Sequence, residues 1–185
     1  MTWPRGDHGT ILARMNASST APLDAAHGPL PGPVAPSQKL GHPLATQACL
    51  DEVHAREHAM CLVCGHLNPN GLKLKFKVQP DGSVAAVFDC LPLLQSYPNV
   101  LHGGVISAIL DSAMANALFA VGIVAVTASL EIRFLAPTTT GRFAMVRAWT
   151  ESGDAHPLYL QRAELIQDGK VMVEAKAKFL VRDVA

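Results

Sequence analysis

Residues 103–120 read GGVISAILDSAMANALFA, and this stretch decides the fold of the chain. Apolar and small residues occupy nearly every side of the helical wheel, a pattern typical of a buried helix rather than one on a surface. No other segment of the 185 residues predicts a helix of this length. We therefore predict one long central helix, which a surrounding sheet must cover.

The segments around this helix alternate with the period of strands. Residues 72–78 place Leu, Phe and Val between three lysines, which predicts a strand with one apolar and one cationic face. Asp81-Gly82 predicts a hairpin turn, and residues 83–88 form its return strand. Four further strands joined by tight turns are predicted over residues 126–135, 142–151, 158–166 and 171–181. The class is α+β: an antiparallel sheet of five or six strands wrapped around one helix.

Residues 1–45 differ in composition from the rest. They hold seven of the 13 prolines and show no sustained period of 2 or 3.6. Such a segment cannot bury enough apolar surface to offset its ordering entropy. We expect a flexible tail over residues 1–45, then a short helix over residues 50–60 at the start of a domain that spans residues 46–185.

Charge and hydropathy exclude several classes of protein. Lys+Arg 15 and Asp+Glu 15 balance, so we expect neither nucleic acid nor an anionic membrane surface as a partner. The longest apolar run is about ten residues, half of the roughly 20 that a membrane span needs. The four cysteines do not indicate a secreted disulfide framework, and no signal peptide is visible. We expect a cytoplasmic protein that self-associates.

Asp111 is the most anomalous residue of the central helix. It stands between Leu110 and Ser112 in an otherwise apolar setting, where an ionised carboxylate costs several kcal/mol unless it is hydrogen-bonded or faces water. It is either a structural residue that bonds a buried group, or a general base or nucleophile in a pocket. We favour the catalytic role because His102, Gly103 and Gly104 begin the same helix, and backbone N–H groups there can hold an oxyanion.

Three segments resemble the hotdog-fold acyl-CoA thioesterases, specifically the PaaI-like group. Residues 97–114, YPNVLHGGVISAILDSAM, are similar to the signature of that group. Residues 61–76, CLVCGHLNPNGLKLKF, and residues 127–137, TASLEIRFLAP, are similar to the segments that flank it. The resemblance covers residues 60–182 and implies hydrolysis of acyl-CoA to free acid and CoA.

The resemblance also implies which residues form the site. Its catalytic carboxylate falls on Asp111, its HGG segment on residues 102–104, and its hydroxyl residue on Thr127, with Ser129 as an alternative. Gln95 is the expected polar residue near the thioester carbonyl, although the flanking His and Gly of related segments are replaced here, and Ser96 is the alternative. The implied assembly is a homodimer, or a dimer of dimers, with a site shared between subunits. No cofactor is expected.

The cysteines and histidines of residues 54–64, HAREHAMCLVC, offer a second interpretation. His54, His58, Cys61 and Cys64 can in principle hold zinc, but one Cys-x-x-Cys without a second pair is a weak motif. We expect these residues to pack before the first strand, and we predict no metal site.

Two other functions remain open. A hotdog hydratase or dehydratase usually presents its His on the central helix, whereas His102 precedes the helix here. A non-catalytic sensor that binds acyl-CoA is expected to carry a DNA-binding helix-turn-helix, which the neutral, proline-rich first 45 residues do not supply.

Overall fold

The computed structural model describes residues 44–152 and 156–181. This part contains two α-helices, α1 (Gln47–Glu57) and α2 (Gly103–Phe119). Its strands are β1 (Lys77–Val78), β2 (Val84–Asp89), β3 (Gln95–Tyr97), β4 (Val100–Leu101), β5 (Ala125–Phe134), β6 (Phe143–Ser152), β7 (Leu158–Gln167) and β8 (Lys170–Val181). Neither helix is long and apolar enough to cross a membrane.

Helix α2 is the predicted central helix. Buried side chains follow one another without interruption from Ser112 to Phe119, as expected for a helix that is apolar nearly all round. The helix packs against β2 and β5–β8, the strands of the sheet that surround it. Each large apolar side chain buried in this way contributes about 1.5–3 kcal/mol to the free energy of folding. The helix and the strands around it therefore form the core.

The sheet is antiparallel and has six strands in the order β1-β2-β6-β7-β8-β5. The predicted α+β class, with a sheet around one long helix, is therefore confirmed. The four strands after the helix were expected to follow one another in the sheet. Strands β6, β7 and β8 do so, whereas β5 does not lie beside β6. Strand β5 pairs with β8 instead of β6, so over residues 135–142 the chain passes from the end of the sheet at β5 to β6, which lies between β2 and β7. Within the described residues, β5 has a ladder partner on one side only.

The first predicted strand is much shorter than its alternating pattern indicates. Only Lys77 and Val78 pair with β2, through the expected turn at Gly82, whose φ is 81°. The N–H groups of Leu72 and Leu74 donate instead to carbonyls of the preceding loop, and Lys73 adopts a φ of 59°, which an extended strand does not allow. Lys73 is half-buried rather than fully solvated, and its ammonium donates to the Gly65 and His66 carbonyls at 3.0 Å.

Helix α1 confirms the short helix expected near residue 50 and lies against the end of α2. Thr46 caps it, since its hydroxyl oxygen accepts from the Cys49 N–H at 3.2 Å. The Thr46 N–H donates to the Ala120 carbonyl at 2.9 Å, which joins the start of α1 to the end of α2. Apart from residues 44 and 45, the predicted tail lies outside the described residues.

Deleting residues 1–43 is expected to leave the domain folded and active. The deletion keeps Thr46, and with it both the cap of α1 and the hydrogen bond to Ala120. The measurement compares soluble yield, thermal unfolding and thioester hydrolysis with those of the full chain. Loss of soluble protein would show that the deleted segment contributes to the core.

Candidate functional site

Asp111 meets a hydroxyl of the neighbouring strand β5. The side chain of Asp111 is half-buried, and its Oδ1 accepts a hydrogen bond from Thr127 Oγ1 at 2.6 Å. This length is typical of a hydroxyl that donates to an ionised carboxylate. The structure thus brings together two of the predicted site residues, and the other carboxylate oxygen of Asp111 has no hydrogen-bond partner among the described residues.

A bulge in β5 aims Thr127 at the helix. Thr127 pairs with Phe179 and Leu130 pairs with Ala177, and both partners are buried on the helix side of the sheet. In a regular strand, residues 127 and 130 would point to opposite faces. The register shift between Thr127 and Ser129 inserts an extra residue, so both side chains lie on the helix face.

The same bulge turns Ser129 away from Asp111. Ser129 pairs with Lys178, an exposed residue, and it shares the outer face of β5 with charged residues such as Arg133. Arg133 forms an ion pair with Glu174 on that face at 3.6 Å. The structure therefore brings Thr127, and not Ser129, to the carboxylate.

At the start of α2 the two glycine N–H groups differ in their availability. His102 caps the helix, and its Nδ1 accepts from the Gly104 N–H at 2.8 Å. The Gly103 N–H has no acceptor within residues 44–152 and 156–181. It points out of a helix N-terminus, where the macrodipole adds partial positive charge. Of the three backbone N–H groups of the predicted HGG segment, only that of Gly103 has no acceptor among the described residues, so it is the backbone donor that an oxyanion could use.

A small hairpin that sequence patterns missed leads into this helix start. Strands β3 and β4 are only three and two residues long, too short for a visible period of two. Gln95 lies on β3, and its Oε1 accepts from the Asn99 N–H at 3.1 Å within the hairpin. Ser96 is exposed on the same strand. The His102 N–H donates to the Leu94 carbonyl at 2.9 Å, which holds the hairpin beside the first turn of α2.

A cluster of thiols and imidazoles lies beside α2, where Cys64 contacts Ser112 and Asn116. One ligand-type atom from each of His58, Cys61 and Cys64 lies within 4.8 Å of the others. A hydrogen bond from Cys64 lowers the pKa of Cys61, and the His58 ring lowers it further, whereas the bond to Cys61 together with burial raises the pKa of Cys64. Burial also lowers the pKa of His54 nearby. The predicted packing position before β1 does not by itself explain this convergence.

Comparison with known proteins identifies the architecture. The model of the Thioesterase superfamily matches residues 98–154, the part that contains Gly103, Asp111 and Thr127. A crystal structure of a thioesterase superfamily protein superposes with a TM-score of 0.62 at 24% identity, covering 65% of this chain and 60% of that one. The fold is the hotdog fold of thioesterases. The hotdog fold that the resemblance implied is therefore confirmed.

Two further solved structures share this hotdog fold. The Escherichia coli PaaI protein from the phenylacetic acid degradation operon has a TM-score of 0.58 at 18% identity, covering 70% of this chain and 95% of its own. A hypothetical thioesterase from Streptococcus pneumoniae TIGR4, solved with coenzyme A, has a TM-score of 0.55 at 15% identity, covering 59% of this chain and 85% of its own. No curated protein sequence matches the chain.

Proposed function

We propose that the chain hydrolyses acyl-CoA thioesters to a free acid and CoA. The observation that carries this proposal is the half-buried Asp111 carboxylate, which Thr127 of β5 holds by a hydrogen bond. The helix that carries Asp111 begins with the Gly103 N–H, which has no acceptor among the described residues. A thioester carbonyl is already electrophilic, so its hydrolysis requires an activated water and a stabilised oxyanion more than a strong nucleophile. The coenzyme A bound in the Streptococcus pneumoniae neighbour supports the CoA part of the substrate.

Asp111 either takes a proton from the attacking water or attacks the carbonyl carbon itself to form an anhydride that water then opens. In both routes the thioester carbonyl oxygen becomes an oxyanion, which the Gly103 N–H stabilises together with the helix dipole. The C–S bond breaks, the sulfur leaves as a thiolate and it takes up a proton. Thr127 holds the carboxylate in position, Gln95 contacts the thioester, and no cofactor takes part.

The spacing of these groups supports a site built from two subunits. Gly103 and Asp111 are eight residues apart on α2, so at about 1.5 Å per residue they are about 12 Å apart along the axis. An attacking water must lie about 3 Å from the carbon whose oxygen the N–H binds. We propose a twofold homodimer, or a dimer of two such dimers, in which Asp111 of one subunit works with Gly103 of the other.

The free edge of the sheet supports this assembly. Strand β5 carries Thr127 near one end and Phe134 near the start of α2, so it runs along both parts of the site. Its apolar residues on the helix face are left open, since Phe134 is 54% exposed and Leu130 is 37% exposed. An open strand edge with exposed apolar residues is covered in most proteins. A second copy of this chain would cover it and enclose an apolar slot for the acyl group.

Substitution of Thr127 tests the positioning of the carboxylate. Thr127→Ala is expected to lower kcat about tenfold, because it removes a hydrogen bond to a charged group that is worth about 1.5 kcal/mol. Thr127→Ser keeps the hydroxyl and is expected to retain most activity. The measurement is steady-state thioester hydrolysis by both variants and by Ser129→Ala. Wild-type kcat in Thr127→Ala, with the loss in Ser129→Ala instead, would contradict the assignment.

A thiol-release assay over aliphatic and aromatic acyl-CoAs tests the activity itself. We expect turnover of at least one member of the panel by the full chain. Tight binding of acyl-CoA with no thiol release from any member would favour the non-catalytic sensor. Hydration of an enoyl-CoA without thiol release would favour the hydratase.

We also propose a cytoplasmic location, since all four cysteines are free thiols, as is usual in a reducing compartment.

A further inference from the structure

We propose that His58, Cys61 and Cys64 bind one Zn²⁺ ion, with His54 as the fourth ligand. The three residues follow a His-x-x-Cys-x-x-Cys spacing at the end of α1 and in the turn after it. Thiolate sulfur and neutral imidazole nitrogen are the ligands that Zn²⁺ prefers in structural sites. The weakness of a single Cys-x-x-Cys in the sequence is outweighed here by the position of the atoms.

The distances suit a tetrahedral ion. Cys64 Sγ and His58 Nδ1 lie 3.7 Å apart, and all three ligand-type atoms fall within 4.8 Å of one another. Zinc bonds of about 2.3 Å to sulfur and about 2.05 Å to nitrogen place two tetrahedral ligands about 3.6 Å apart. The Cys64–His58 edge therefore already has the required length, and the ligand atom of Cys61 lies within 4.8 Å of both.

His54 supplies the remaining ligand position. It lies one helical turn before His58, so both rings leave the same face of α1, with their centroids 6.3 Å apart. His66 is a competing candidate, since its ring lies 6.3 Å from that of His54. A pocket of about 660 Å³ lined in part by His54, His66 and Cys64 gives an ion a path to the cluster.

The surrounding groups orient the sulfur atoms as they do around bound metals. The Val63 N–H points to Cys61 Sγ at 3.4 Å, and Ser112 Oγ and Asn116 Nδ2 of α2 lie 3.4 and 3.7 Å from Cys64 Sγ. Such contacts hold thiolate ligands in position. Gly65 lets the turn close tightly, since a Cβ there would lie 2.4 Å from the Cys61 nitrogen. The ion would thereby tie α1 and its following turn to the central helix.

Cobalt titration of the full chain, reduced and stripped of metal, tests this site. We expect one Co²⁺ per chain, with the sulfur-to-cobalt charge-transfer band and the visible bands of a tetrahedral site, and displacement by one Zn²⁺. Cys61→Ser and His58→Ala are expected to weaken Zn²⁺ binding beyond the roughly 10- to 100-fold loss typical of an outer-shell partner. Cys49→Ser is the matched control, since it removes a half-buried thiol of α1 outside the cluster, and it is expected to bind normally.

His54→Ala and His66→Ala distinguish the fourth ligand, and only the first is expected to alter the cobalt spectrum. Should a cysteine variant fail to fold, thiol labelling of the wild type replaces it: Zn²⁺ is expected to protect Cys61 and Cys64 while Cys49 stays reactive. Zn²⁺ is also expected to raise the melting temperature of the wild type but not of Cys61→Ser. Absence of the charge-transfer band, less than one ion per chain, or equal weakening in Cys49→Ser overturns the proposal. None of these measurements depends on thioesterase activity.

Discussion

Replacing Asp111 with asparagine is expected to lower kcat for thioester hydrolysis at least ~100-fold, the range found when a positioned base is lost. Asparagine has nearly the same shape as aspartate, and its carbonyl oxygen can still accept the hydrogen bond that Thr127 Oγ1 makes to Asp111 at 2.6 Å. The local structure is therefore retained. What is lost is the ability to accept a proton from water or to attack a carbonyl carbon.

The control for this experiment is Asp51→Asn, which changes an exposed aspartate of α1 in the same chemical way. It is expected to hydrolyse thioesters at the wild-type rate, and both variants are expected to melt as the wild type does. A kcat near that of the wild type in folded Asp111→Asn would leave Asp111 as a structural residue. Single turnover of the wild type in water with labelled oxygen tests for direct attack. Label in Asp111 indicates an anhydride that water opens at the Asp111 carboxyl carbon, whereas general-base catalysis, or opening at the acyl carbon, places the label in the product acid alone.

The elements predicted correctly are those whose sequence pattern matches their surroundings. Helix α2 is apolar on nearly all sides and is buried along most of its length, so its sequence pattern predicts a buried helix and nothing else. Strands β7 and β8 alternate buried and more exposed residues along most of their length, and Gly169 has the positive φ of 73° that the turn between them requires. Here a local pattern and the tertiary position of the residues agree.

The errors arise where distant segments decide the local structure. The alternation of residues 72–78 is real in burial, since Leu74 and Phe76 are buried while Lys75 and Lys77 are exposed. Ladder pairing is nevertheless limited to two residues, because the Leu72 and Leu74 N–H groups bond to the loop before them. Which strand would pair with β5 depended in the same way on contacts between residues far apart in sequence.

The candidate site shows the same division between motif and geometry. A one-dimensional pattern could indicate Asp111, Gly103 and Thr127, but not the bulge that turns Thr127 rather than Ser129 towards α2. Nor could it indicate that His102 accepts the Gly104 N–H, while the Gly103 N–H has no acceptor among the described residues. The sequence likewise could not show that ligand atoms of Cys61 and Cys64 lie within 4.8 Å of each other and of His58, because only the folded turn brings them together.

Mixing two inactive variants is expected to restore activity if the site is shared between subunits. The first variant is Asp111→Asn, which lacks the carboxylate, and the second is Gly103→Pro, which lacks the free N–H. Proline is well suited to this position, because it is favoured in the first turn of a helix and Gly103 uses its N–H for no bond within the described residues. His102, with φ −64° and ψ 129°, already has the extended backbone that a residue before proline adopts.

Each variant alone is expected to retain at most ~1% of the wild-type kcat, the loss expected for a missing base or oxyanion donor. In a mixed dimer, Asp111 of the Gly103→Pro subunit meets Gly103 of the Asp111→Asn subunit, so one site of two is intact. Random exchange at equal concentrations makes about half of the dimers mixed, so the mixture should recover about a quarter of the wild-type activity. Subunit exchange is verified by native mass spectrometry, and the gain should rise and fall with the mixed fraction. Only a site that spans the helices of two subunits can be rebuilt from two inactive variants. Verified mixed dimers without recovered activity, or a monomer with full activity, would therefore place the complete site on one chain.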